Sequence, residues 1–415
     1  MFDGPLITND AVNLGILMAI LAFVFITAHS ERPFWKRFYS IVPSLLVCYF
    51  LPSVLTTLGV YDPDQSNLYF VASRYLLPAS LVLLTLSIDL PGIVRLGPKA
   101  GVMFLAGTFG IIVGGPLAIL VVSFFNPEYV GGVGPDAVWR GMTTVAGSWI
   151  GGGANQTAMK EVFDVGDDMF STMIAVDVIV ANIWMAVLLF GVGRSEKIDS
   201  FLNADTSAIE EVRRRVEEYR AQIARIPDLT DLMKILGVGF GVMGLSHFLA
   251  DIIAPWLSVN APVLERYNLT SGFFWLVVIA TTAGLALSYT RARELEGVGA
   301  SRVGSALLYV LIATIGMRMN LMAVMEHKAL FLVGAIWIGF HAVILIVVAK
   351  IIKAPYFFLA VGSQANVGGA ASAPIMASAF HPALAPVGVL LAVLGYAIGT
   401  YGAWVCGQLM RVAAP

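Results

Sequence analysis

VAGSWIGGGANQTAMKEVF (residues 145–163) and AVGSQANVGGAASAPIMASAF (residues 360–380) decide how this chain is read. Both open on a Gly-Ser pair, Gly147-Ser148 and Gly362-Ser363, and both then carry a glycine cluster with an asparagine beside it. Glycine clusters let a backbone turn sharply and approach a ligand closely. At membrane depth, unwound backbone is tolerated only where it faces protein or a wet cavity. Two such segments in one apolar chain therefore point to an internal cavity built from backbone.

The rest of the chain supplies the apolar setting. Of its 415 residues 58% are hydrophobic and 13% charged, and the mean hydropathy is +0.83. Soluble domains carry roughly 45–50% apolar and about 25% charged residues. A soluble enzyme of this length is excluded, because too much apolar surface would need covering with too few charges. A net charge of -2 leaves no nucleic-acid footprint. Cys48 and Cys406 lie inside apolar runs and form neither a disulfide framework nor a metal spacing. No nucleophile–base pair, phosphate loop or metal cluster is visible, so neither an enzyme nor a cofactor is expected.

Runs long enough to cross a bilayer, about 17–25 residues, fall at 11–29, 41–60, 70–90, 101–125, 169–193, 234–257, 272–289, 303–319, 329–350 and 385–410. The first follows an acidic start (Asp3, Asp10) and no cleavage site follows it, so it reads as a span. Eighteen of the 25 Lys and Arg sit in five loops: Arg32/Lys36/Arg37, Arg95/Lys99, Arg194 to Lys234, Arg291/Arg293/Arg302 and Lys350/Lys353. The positive-inside rule places all five in the cytoplasm. That holds if 141–163 and 356–380 are re-entrant hairpins, and both termini then lie outside, on the periplasmic face of an inner membrane. A broken helix crossing once is the alternative for each segment.

The flanks repeat as well. YLLPASLVLLTLSIDL (75–90) echoes ALLYVLIATIGMRMNL (306–321). The expected fold is an all-α integral membrane protein of two inverted-topology repeats, 1–193 and 234–415, each of five transmembrane helices plus a hairpin. The first two spans of each repeat (11–60 and 234–289) carry few deep polar groups and read as a dimerising scaffold. Between the repeats, 194–233 is a cytoplasmic linker. Its capping box (Ser207, Glu210), terminating Pro227 and apolar seam predict an amphipathic helix over 207–226, lying on the inner face or self-associating.

Several polar groups inside the apolar runs are candidates for binding. At the tips these are Ser148, Gly151, Gly152, Gly153, Asn155 and Gln156, and then Ser363, Gln364, Asn366, Gly368 and Gly369. Packing of small residues explains isolated glycines but not two matched clusters. Asp177, in AVDVIVANIW with Asn182, is an intramembrane carboxylate and hence a cation or proton site by default. Arg318 is placed to hold a substrate carboxylate or to pair with Asp177 or Glu161. A sodium ion is expected around Ser148, Asn155, Ser363 and Asn366, with the substrate's anionic group facing the hairpin amides. Lys160 and Glu161 are either solvated at the membrane surface or functional. His247 and Asp251 read as a surface pair, and His341 as a packed histidine.

At GSWIGGGAN, SQANVGGAASA, the Asp of AVDVIVANIW, ATIG, the His of FHAVILI and GYAIGT (395–400), the chain resembles the YjcL-like bacterial membrane proteins, a family catalogued as a domain of unknown function. The likeness covers nearly everything except roughly 195–230. The family is grouped with the cation:proton antiporter and anion transporter superfamily and is distantly similar to sodium–glutamate and sodium–citrate symporters. The resemblance implies a transporter with a mobile core domain and a scaffold domain, working by alternating access of the elevator type. With the residues above, the expectation is an ion-coupled (Na⁺ or H⁺) symporter of a small carboxylate-bearing solute such as an amino acid or short peptide. It would work as a homodimer in the lipid bilayer. A monovalent cation/proton antiporter is the alternative. A non-transporting sensor using the 205–226 helix leaves the two hairpins unexplained.

Overall fold

A computed structural model describes residues 5–39, 42, 44–88, 94, 96–204, 228–267, 269–318, 329–381 and 384–415. The linker helix expected over 207–226 lies outside the described residues. The chain runs through α1 (Asp10–Ala28), α2 (Pro33–Tyr39), α3 (Ser44–Thr57), α4 (Leu68–Leu86), α5 (Pro98–Phe125), α6 (Val138–Val162), α7 (Asp167–Val192) and α8 (Ser195–Leu202). It continues through α9 (Leu229–Asn260), α10 (Gly272–Leu287), α11 (Ala300–Arg318), α12 (Ala329–Ile352), α13 (Tyr356–Val367), α14 (Gly369–Phe380) and α15 (Ala385–Ala413). Among the described residues β pairing is confined to one isolated bridge, Ile7 with Tyr61.

Eight of these helices are long and apolar enough to cross a membrane, and each coincides with an expected span to within a few residues. The other two expected spans are shorter helices. α3 has 14 residues and contains Pro52, so it rises only about 21 Å. α10 has 16 residues and is followed, across a 93° bend, by the 3-10 helix Arg291–Val298. The bend falls where two arginines and two glutamates replace the apolar run. Inside α4, residues Ala72–Leu76 form a π-turn. A π-turn frees a carbonyl from the helical ladder, and the Arg74 carbonyl meets His247 Nε2 at 2.8 Å. His247 is thus a backbone partner rather than half of a pair with Asp251, which is exposed.

The helices pack in two groups. One joins α1, α3, α4, α9, α10 and α11; the other joins α5, α6, α7, α12, α13, α14 and α15. The first group takes in the third span of each half (α4 and α11) as well as the first two. α15 and α6 approach closely within the second group. Gly399 sits where a Cβ would lie 2.6 Å from the Gly151 Cα. A side chain there would push the two backbones apart.

α6 is a hairpin rather than a rod. Gly152 has φ 75° and ψ -173°, and the chain turns back at that residue. Arg140 Nη1 donates to the Phe163 carbonyl at 2.5 Å, and the Trp139 and Phe163 rings are 6.0 Å apart. A straight helix would hold residues 140 and 163 about 35 Å apart. α13 and α14 form a second hairpin. Gly369 at its break has φ 58°, and Phe380 returns to the Tyr356 and Phe357 rings at 5.9 and 5.3 Å.

The two hairpins point toward each other. The foot of the first adjoins Asp167, where α7 begins, through Lys160 Nζ at 2.9 Å. The foot of the second adjoins α8, just past the end of α7, through Tyr356 N–H donating to Asp199 Oδ1 at 2.6 Å. The 26 residues of α7 separate these feet by about 39 Å. The breaks meet between them: a Cβ on Gly369 would lie 4.0 Å from the Gly152 Cα.

Candidate functional site

Where the two breaks meet, a cavity of about 400 Å³ opens between the helix groups. Its floor is Gly152, Gly153, Gly368 and Gly369, with Ser148, Gln364 and Ser372 beside them. α7 contributes Asp177 and Asn182, and α11 contributes Ser305, Leu308, Tyr309 and Ile312. Tyr396 of α15 closes one edge. Among the described residues lining this cavity, Asp177 is the one with a charge.

Hairpin α6 holds that carboxylate. Trp149 Nε1 donates to Asp177 Oδ1 at 2.7 Å and Gln156 Nε2 donates to Oδ2 at 3.0 Å. One donor comes from each arm of the hairpin, so the turn at Gly152 is what brings both to one carboxylate. Ser148 is a third hydrogen-bond partner of this carboxylate, which leaves only part of its acceptor capacity for a ligand. In the other hairpin, Gln364 Nε2 donates to Ser372 Oγ at 2.6 Å across the break. Gln364 Oε1 is buried without a hydrogen-bond partner. A buried acceptor left unpaired costs about 1–3 kcal/mol, which a donor entering the cavity would recover.

The expected sodium ligands are not brought together. Asn155 and Asn366 are fully buried and bound elsewhere. Asn155 donates to the Gly151 and Tyr396 carbonyls at 3.0 and 3.2 Å and accepts from Thr400 Oγ1 at 2.6 Å. Asn366 donates to the Phe104 and Gly362 carbonyls, both at 2.9 Å, and accepts from Thr108 Oγ1 at 2.7 Å. Ser363 Oγ accepts from Trp184 Nε1 and meets His341 Nε2, both at 2.8 Å. These residues fasten the hairpins to α15, α5, α7 and α12; of the four, Ser148 alone lines the cavity. Gly151 is likewise packed against α15 behind the floor. His341 is packed, as its apolar surroundings indicate, yet it also steadies the second hairpin.

Arg318 is not at the cavity either. Its Nε donates to Asp167 Oδ2 at 2.8 Å, and Asp64 lies 3.7 Å from Nη2. Neither Asp177 nor Glu161 is its partner. Lys160 and Glu161 are not merely solvated: Lys160 is buried and paired with Asp167. Glu161 pairs with Arg74 at 2.9 Å and accepts from the Tyr69 hydroxyl. Sequence reading found every residue on the floor but missed Tyr309, Ser305 and Tyr396. The small-residue spacing of GYAIGT, with Gly395 and Gly399 four apart, was the available signal for α15 against α6.

A multi-pass helical membrane protein with a cavity between two broken hairpins is the class that these observations define. The chain belongs to the family described as Protein of unknown function (DUF819), whose model matches residues 15–413. It is similar to the "Uncharacterized membrane protein YjcL" of Bacillus subtilis (strain 168), at 24% identity over 370 residues, 84% of this chain and 85% of the relative.

Proposed function

We propose that this protein is an ion-coupled secondary transporter of the bacterial cytoplasmic membrane that moves a small solute through the central cavity without altering it covalently. The observation that carries this reading is the meeting of two glycine breaks, from hairpins entering at opposite ends, beside the buried carboxylate of Asp177. Inverted repeats with a mid-membrane site are the usual construction of such transporters. The feet at opposite ends and the matched order of elements support that repeat here. In this reading the group holding α5–α7 and α12–α15 is the moving core. The group holding α1, α3, α4 and α9–α11 is the scaffold, through which a homodimer forms.

The coupling ion, Na⁺ or H⁺, binds at Asp177. The solute is a carboxylate-bearing molecule such as an amino acid or short peptide. Its anionic end faces the main-chain amides of the floor, and its donors face Gln364 Oε1. Basic loops at the end holding the second hairpin's foot favour that end as cytoplasmic, with both termini outside. A cation/proton antiporter is the second reading, favoured by the lack of any basic side chain among the described residues lining the cavity.

Uptake into proteoliposomes under an imposed Na⁺ or pH gradient, with an amino-acid and short-peptide panel, tests the reading. Asp177→Asn keeps shape and hydrogen bonding. It is expected to abolish ion-driven uptake in protein that folds and inserts normally. Undiminished gradient-driven uptake by this variant would overturn the assignment of Asp177. Cation exchange against protons with no solute uptake would select the second reading.

A further inference from the structure

Ser305 and Tyr396 belong to two cavities at once. Beyond the central one they also line a second, of about 730 Å³, walled by the Arg291–Val298 helix, the start of α11 and part of α15. The rim of this vestibule, at Tyr289, Thr290 and Arg291, is exposed. α11 gives the scale. Ser301 and Ser305 face the vestibule, Ser305 to Ile312 border the central cavity, and Arg318 reaches the charged cluster. Ser301 and Arg318 are about 26 Å apart along that helix, close to the roughly 30 Å of a hydrocarbon core. Between Ile312 and Arg318 every residue of α11 is buried.

The cluster at the far end is made of bonds between the two helix groups. Glu161, on the first hairpin, is held by Arg74 and Tyr69 of α4. Asp167, at the start of α7, is held by Arg318 of α11. Any displacement of the α6–α7 group past α4 and α11 must break these contacts. At the vestibule end, Ser305 and Tyr396 lie where the lining of the central cavity and that of the vestibule overlap.

We propose that the vestibule is the solute's way into the central cavity, passing between Ser305 and Tyr396, and that the charged cluster at the far end of α11 is the seal closing the opposite way. The inference rests on the central cavity being the solute site. It assigns the route and the seal, which the transport reading by itself leaves open.

Accessibility of an introduced thiol tests it without needing transport. Cys48 and Cys406 are fully buried, which keeps the background low. Asn182→Cys places a reporter in the central cavity. Thr290→Cys and Gln65→Cys, both at exposed positions, mark the vestibule end and the cluster end. The probe is a membrane-impermeant maleimide, applied to intact cells and to inverted vesicles. The reporter is expected to label at least about tenfold faster from the side that labels Thr290→Cys, the ratio for an oppositely open state that is a minor population. Adding Ser305→Trp is expected to slow reporter labelling about tenfold. Glu161→Gln or Arg318→Gln is expected to raise its rate from the Gln65→Cys side by a similar factor.

Faster labelling from the Gln65→Cys side, equal rates from both, or indifference to Ser305→Trp would overturn the route. Unchanged far-side labelling in both Glu161→Gln and Arg318→Gln would overturn the seal. Should Arg318→Gln fail to fold, Glu161→Gln carries the test, because it leaves α11 and the Asp167 pair intact. Labelling as expected without ion-driven uptake removes the transport reading and still supports the vestibule as the approach to the cavity.

Discussion

The two hairpins follow one plan and fasten it differently. In α6 the anchoring asparagine, Asn155, lies three residues after the break at Gly152; in the α13–α14 hairpin Asn366 lies three residues before the break at Gly369. Each bonds the carbonyl four residues back, reaches a carbonyl on a neighbouring helix and accepts from a threonine hydroxyl. The feet diverge: the first is charged, with Lys160 and Glu161 in ion pairs, while the second is aromatic, with Tyr356, Phe357 and Phe380. Divergent feet on a shared tip teach that the broken turn is the part of the plan common to both hairpins. Each foot is matched to the elements it packs against.

The largest test of this comparison is at the glycines. In Gly151→Ala the new methyl would overlap the Asn155 amide and stand 2.6 Å from the Gly395 carbonyl. Backbone on α15 cannot swing aside, so overpacking of about 3 kcal/mol is expected, read as a lowered unfolding temperature in detergent. In Gly368→Ala the opposing atoms are the Ser372 and Gln364 side chains, which can rotate away. That variant should fold while losing the Gln364–Ser372 bridge. Equal destabilisation by the two would break the contrast between a tip clamped by backbone and one clamped by side chains.

Next in size are the asparagines. Asn155→Ala and Asn366→Ala each remove the amide bonds that tie a hairpin to its neighbouring helix and leave the Thr400 or Thr108 hydroxyl only its 3.3 Å contact with Thr281 or the Phe104 carbonyl, an expected loss of about 1–3 kcal/mol apiece. Thermal unfolding of the pair should give nearly equal shifts. A loss confined to one of them would show that the likeness of the tips is not energetic. Thr108→Val and Thr400→Val sharpen the comparison by removing a single donor at each tip, with a smaller and again matched loss.

The smallest effect is at the second foot, on Asp199. Burial holds its carboxyl above the usual carboxylate range, against the lowering influence of the Tyr356 amide. The folded state therefore keeps the proton to higher pH than the unfolded chain does. Stability falls as pH rises from the ordinary carboxylate range through the raised value, and is level above it. Asp199→Asn should flatten that part of the stability profile and leave the rest unchanged. A profile identical to the parent's would mean that the carboxylate is not strained by its place under α13.

Much of this architecture was legible because its causes are local. Long apolar runs announce their helices, and a glycine cluster next to Gly-Ser announces a break wherever it falls. Asp177 stood out because a carboxylate in such a run needs partners. Which partners it has was not legible: Trp149 and Gln156 converge on it only once the chain has turned at Gly152. The charged foot was misread for the same reason. Arg318 and Asp167 are 151 residues apart in sequence, and nothing in the spacing of either names the other. The asparagines beside the glycines looked like ligands because an anchor and a ligand use the same amide. They differ in how many of its bonds the fold has already taken.

The floor of the central cavity is main chain, since Gly152 and Gly369 face each other with no side chain between them. Its hydrogen-bonding groups are those of any peptide and cannot be altered by exchanging one residue type for another. The walls are ordinary side chains, Met185, Leu308, Tyr309 and Ile312 among them. Substitutions there can reshape the volume and polarity offered to a guest while the turn beneath keeps its form. Exchanges on α7 and α11 would therefore tune the cavity, and the glycines would hold the form on which that tuning is done.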